Sequence, residues 1–194
     1  MAATELPTAG AVATWRAAKD DYLKNHRTSP LYGDDGFGGL TYYPETNQFR
    51  VAAQLERTPD AEPVLLATST GDERMYLPYG VARFQLGGQD QSLVLYATPD
   101  APEGPRLFVP FRDSTSGPET YGAGRYLEFT LDEEGAAGPV TLDFNYAYHP
   151  FCAYVEGYSC PFPPSSNWLS QPVRAGERLP DSPDTGGPAE TPGA

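Results

Sequence analysis

The sequence is short of lysine, cysteine, histidine and long apolar runs, and each shortage excludes something. Only Lys19 and Lys24 are lysines among thirteen basic residues, against 26 Asp and Glu, for a formal net charge of -13. Nucleic-acid binding needs clustered Lys and Arg to displace counterions, so neither a nucleic acid nor an anionic membrane is expected as a partner. No apolar stretch approaches the roughly 20 residues that a membrane-spanning helix requires. The N-terminal stretch has neither a basic start nor an unbroken apolar core, so it does not read as a secretory signal and a cytoplasmic location is expected. Nor is there a GxGxxG turn, a Walker loop, an HExxH helix or a GxSxG elbow, which leaves nucleotide-dependent, zincin and α/β-hydrolase chemistry without support.

What is present is a single-domain length, 194 residues, with 39% hydrophobic residues to build a core. The domain is expected over residues 10–179, with disordered ends at 1–9 and in the Pro, Gly and acidic tail 180–194. Val12, Trp15, the stem of Lys19, and Tyr22 with Leu23 recur at helical spacing and predict an amphipathic helix from about Gly10 to Asn25. A Gly- and Pro-rich loop follows, anchored by Leu31, Tyr32, Phe37, Leu40, Tyr42 and Tyr43. Its Asp34, Asp35, Gly36 cluster lacks the further ligands of a calcium loop and reads as a turn.

From Phe49 the period falls to two. FRVAAQLER, VLLATST, ERMYLPY, VARFQL, QSLVLYAT, RLFVPFR, GRYLEFTL and VTLDFNYAY read as strands. Gly71-Asp72, Gly87-Gly88, Pro99-Asp100 and Glu134-Gly135 mark the reversals. Short connections favour antiparallel neighbours, so the fold class is mainly β: an antiparallel meander forming a barrel or two-sheet sandwich, with one N-terminal helix. The segment after Asn145 is aromatic and Pro-rich. It is expected to lie over the sheet, held by Tyr154, Tyr158, Phe162 and Trp168.

Candidate chemistry concentrates between Arg106 and Glu177. Strict alternation along VTLDFNYAYH would put Asp143, Asn145 and His149 on one face, either solvated or lining a pocket. Arg112 and Arg125 flank the hydroxyl-rich loop DSTSGPETYGAG, and two guanidiniums at one sheet end suit a carboxylate or phosphate. The alternative is internal pairing with Asp113, Asp143 or Glu128. The candidate site for a small polar or anionic molecule is therefore Arg112, Asp113, Tyr121, Arg125, Asp143, Asn145 and Trp168, with Tyr146 as a further wall. No cofactor or metal is expected, and no catalytic residue is nominated. Cys152 and Cys160 allow a disulfide, two buried thiols, or metal ligands with His149, the last disfavoured by the loose spacing. Two other functions stay open: a protein-interaction module using the exposed Pro-rich segment, and a thiol- or metal-dependent enzyme centred on Cys152, Cys160 and His149.

The segments WRAAKDDYL with SPL, GLTYYP, LFVPFRDSTSGPETYGAGRYLE, DFNYAYHPFCAY, SCPFPPSSNWL and VRAGE occur in collinear order from about Trp15 to Arg178. In these segments the chain resembles a widespread microbial family described only as a domain of unknown function. The resemblance implies no activity, substrate or catalytic residue. At the position of His149 that family more often carries asparagine, so the resemblance lends nothing to a mechanism requiring an imidazole there.

Overall fold

The computed structural model describes residues 10–97, 106–131 and 137–180; apart from Pro180, the two ends expected to be disordered lie outside them, as do the Pro99-Asp100 and Glu134-Gly135 reversals. Helix α1 spans Ala11–Asn25, and β1 is the short strand Thr41–Tyr42. Then come β2 (Arg50–Arg57), β3 (Val64–Ala67), β4 (Glu73–Leu86), β5 (Gln89–Ala97), β6 (Arg106–Phe111), β7 (Arg125–Thr130), β8 (Gly138–Asp143) and β9 (Glu177–Arg178). The main sheet runs β7-β6-β5-β4-β2-β8, all antiparallel, with β3 added to β4 and a second small sheet formed by β1 and β9. It curls into a half-barrel that does not close.

Alternation decides which side chains fill this curl. Val51, Ala53 and Leu55 of β2, Ala82 and Phe84 of β4, Leu93 and Leu95 of β5, and Leu107, Val109 and Phe111 of β6 all face one core. Helix α1 docks through Val12 and Leu23, its two buried residues. The helix stops where Ser29 Oγ donates to the Leu23 carbonyl at 2.6 Å, which satisfies a carbonyl the helix itself leaves open.

Three expectations need correction. ERMYLPY and VARFQL are one strand, β4, whose register shifts between Pro78 and Gly80. Proline offers no ladder donor, so the strand bends at a bulge and continues. Strand β8 ends at Asp143, and Phe144–Tyr146 form a 3-10 turn. The turn breaks the expected alternation, so Phe144, Asn145, Ala147 and His149 are buried while Tyr146 and Tyr148 are half-buried. Finally, Tyr32 and Trp168 are 55% and 56% exposed, so neither anchors its segment.

The C-terminal segment is stitched into the sheet by polar groups. Asn167, wholly buried, accepts from the Val94 N–H at 2.8 Å and donates to the carbonyls of Val94 at 2.9 Å and Pro110 at 2.7 Å. It thereby supplies bonds where, among the described residues, β5 and β6 share only the Tyr96–Phe108 pair. Further on, Gly176 adopts a φ of +76° with its α-carbon against the Ala147 carbonyl. A β-carbon there would collide with that oxygen in a conformation that L-residues avoid. Gly176→Ala should lose at least about 2 kcal/mol in urea unfolding; a variant as stable as the parent would show that this crossing is loose.

Candidate functional site

Strand β7 carries Arg125, Leu127 and Phe129 on the core side, which forces a guanidinium into the apolar interior. Arg125 is fully buried. Its Nη2 meets Asp113 Oδ2 at 2.9 Å and the Val173 carbonyl at 2.6 Å, and its Nη1 donates to the carbonyls of Ala175 and Glu177. Asp113 Oδ1 accepts from the N–H groups of Thr115 at 2.8 Å and Val173 at 3.1 Å. Neither group presents an atom to solvent: both side chains are fully buried, and of the Arg125 nitrogens only Nε lacks a partner. The other expected partners are placed just as structurally. Asp143 pairs with Arg50 at 2.8 Å and accepts from Asn145, which in turn bonds both backbone groups of Thr46. These two residues tie down the loop before β2.

Arg112 is half-buried and stacks on Trp168, 4.8 Å from the ring centroid. Tyr121 donates its backbone N–H to His149 Nε2 at 3.3 Å, and burial, with its bond to Cys152, pushes its hydroxyl up to about 12. Arg112, Asp113, Tyr121, Arg125, Asp143, Asn145 and Trp168 therefore line neither of the two cavities described below.

Those cavities lie on either side of the Tyr148-His149 dipeptide, whose side chains point apart as extended backbone requires. The larger, about 430 Å³, is a cleft between the outer face of β6–β7 and the Pro-rich segment. Six rings wall it: Tyr76, Phe108, Tyr126, Tyr148, Phe151 and Tyr158. Tyr76 and Phe108 stack at 5.3 Å, Phe108 meets Tyr126 edge-on at 4.7 Å, and Phe151 meets Tyr158 edge-on at 5.5 Å. Their hydroxyls are held: Tyr126 donates to the Pro161 carbonyl at 2.6 Å, and Tyr148 to Glu128 at 3.0 Å. Burial raises the pKa of both phenols, leaving them neutral. Arg74, exposed, and Glu128 stand at the rim.

The smaller cavity, about 220 Å³, is bordered by His149, Tyr154 and Glu177. Glu177 is 1% exposed; it pairs with Lys19 and accepts from the Tyr154 hydroxyl and from the His149 backbone N–H at 2.8 Å. Lys19 lies over the Tyr148 ring at 4.4 Å, and burial lowers its pKa against the opposing pull of Glu177. This ion pair was not foreseen. Its only sequence signal was a lysine on the apolar stripe of α1.

Both cysteines are free thiols. The Cys152 N–H donates to Cys160 Sγ at 3.4 Å, and burial, with the neighbouring Cys152 thiol, pushes Cys160 up to about 11. A thiol held protonated in this way is a poor nucleophile. Among the described residues no three His, Cys, Asp or Glu side chains are grouped to hold a metal ion. Among them, too, no helix is long and apolar enough to cross a membrane.

Two outcomes are expected. Arg125→Met strands the Asp113 charge and three carbonyls and should lose about 3–5 kcal/mol in urea unfolding, whereas Arg112→Met, losing one exposed stack, should lose about 1 kcal/mol. Burial, reinforced by Arg125 and then Lys19, holds His149 down at about 3. Glu177 Oε2, at 3.7 Å, would favour charging, but Lys19 already neutralises that carboxylate and burial wins. The unfolded chain takes up this proton near 6.5 and the folded chain only near 3. The stability is thus fully present above about pH 6.5 and falls toward pH 3 with a slope approaching about 1.4 kcal/mol per pH unit. In His149→Asn that part of the acid sensitivity should vanish, read from urea midpoints across the same range.

The fold recurs elsewhere. The solution NMR structure of an uncharacterized protein from gene locus rrnAC0354 of Haloarcula marismortui is 39% identical, covers 87% of this chain and 92% of its own, and superposes with a TM-score of 0.71. No curated protein matches the chain. The model of the family described as "Protein of unknown function (DUF1684)" matches residues 35–178, a span that holds the nine strands of the described residues and both cavities except for Leu31 and the two residues after Arg178. The chain belongs to the DUF1684 family.

Proposed function

We propose that this protein binds a small, flat, largely apolar molecule bearing an anionic or polar group, in the aromatic cleft over β6–β7. The observation that carries this reading is the cleft itself: about 430 Å³, walled by six rings and left open between elements that elsewhere pack closely. That volume is within the range of small-molecule sites, which combine apolar walls with a few polar groups. The walls are pre-set, since hydrogen bonds fix Tyr126 and Tyr148 and neighbouring rings fix Phe108 and Phe151. Preformed walls spare a ligand the cost of ordering them.

At the rim, Arg74 supplies the polar end. Among the described residues it pairs with no carboxylate, and its contact is with the Tyr76 hydroxyl. A planar guanidinium beside stacked rings suits an aromatic carboxylate, whose ring lies against Tyr76 and Phe108 while its oxygens face Arg74. The anion-reading role expected of Arg112 and Arg125 passes to a residue that solvent reaches. A second reading, a protein-docking surface, draws on Trp168 and Phe162, which are 56% and 37% exposed on the same Pro-rich segment.

Titrating the isotope-labelled chain with benzoate- and naphthoate-type acids and their neutral amides tests the proposal by NMR. Saturable shifts should cluster at residues 74–76, 108, 126 and 148–161, and Arg74→Gln should weaken the acids about tenfold while sparing the amides. Tyr158→Ala should weaken both classes. Absence of saturable binding would remove the small-molecule reading.

A further inference from the structure

The smaller cavity, beside His149, contains a polar group that the fold leaves unused. His149 is 3% exposed and borders the cavity. Its Nε2 accepts from the Tyr121 N–H at 3.3 Å. With that nitrogen accepting, the proton of the neutral ring is on Nδ1. The nearest acceptor is Glu177 Oε2 at 3.7 Å, beyond hydrogen-bonding reach, and no other partner exists among the described residues. That N–H is left facing the cavity, where the oxygen of a guest can accept from it.

The rest of the cavity defines what that oxygen belongs to. Leu31, Phe37, Leu40 and Leu179 make most of its wall apolar. Glu177 is neutralised by Lys19, and Arg178, the other charged residue on the wall, is engaged over the Tyr43 ring, so the wall favours a neutral guest. The volume of about 220 Å³ is below the usual range of drug-sized sites, so the guest is small. We infer that this cavity is a second binding site, independent of the aromatic cleft, for a small neutral molecule with an apolar body and one hydroxyl or carbonyl oxygen. That oxygen accepts from His149 Nδ1–H while the apolar body lies against Leu40 and Phe37.

The test uses 2-propanol as the probe and amide shifts of the full chain as the readout. Saturable shifts are expected at Leu40, His149, Ala153 and Glu177. Leu40→Trp, which fills the cavity, should abolish them while the remaining spectrum stays native. His149→Phe keeps a ring but removes the donor and should weaken binding about fivefold or more. Tyr158→Ala, in the cleft, should leave the response unchanged. Shifts that never saturate, or saturable shifts that survive Leu40→Trp, would overturn the inference whatever the aromatic cleft binds.

Discussion

A guanidinium with no access to water organises this protein. Arg125 is on the core side of β7, and a charge there is tolerable only if every neighbour is arranged to receive it. The receivers are Asp113, from the loop after β6, and the carbonyls of Val173, Ala175 and Glu177, from a segment some fifty residues further along the chain. Loop, strand and C-terminal segment are thereby fixed to one another. Buried ion pairs of this kind add little net stability, but removing either member is costly, so the arrangement specifies one path for the chain.

That path sets the positions of both cavities. Carrying residues 173–177 across the open end of the half-barrel pairs β9 with β1 and brings the Glu177 carboxylate beneath α1, where it meets Lys19. The same carboxylate receives the His149 N–H and the Tyr154 hydroxyl, holding the Pro-rich segment against the sheet. Tyr148 then completes the aromatic cleft and His149 the smaller cavity. In this arrangement the buried Arg125–Asp113 and Lys19–Glu177 pairs hold the path of the chain, and the two cavities present rings, the rim Arg74 and the His149 imidazole.

The parts of this architecture governed by local periodicity were legible in the sequence. Helix α1 and the alternating strands declare themselves because their period depends on neighbours three or two residues away. Strand β4 reads as two strands because Pro78 and Gly80 look like a break, and only pairing with β5 shows a bulge. Asp143 and Asn145 looked like a pocket face because strict alternation was extended through residues that form a 3-10 turn. Internal pairing of Arg125 is one of two readings its sequence position allows. Choosing it required knowing where residues 173–177 return, and no local pattern encodes that. Trp168 was expected to be an anchor on hydrophobicity alone, yet the buried anchor beside it is Asn167, whose value lies in three backbone bonds.

Native-state hydrogen exchange tests the central role of Arg125 most directly. The amides of Val173, His149 and Glu177 are held by Asp113, by the Glu177 carboxylate and by the Ala147 carbonyl respectively. If Arg125 locks the C-terminal segment to the sheet, these amides should exchange only through global unfolding, with the same opening free energy as those of β6 and β7. Exchange through a local opening several kcal/mol cheaper than global unfolding would contradict the account, because the segment would then leave the sheet while the core stayed folded.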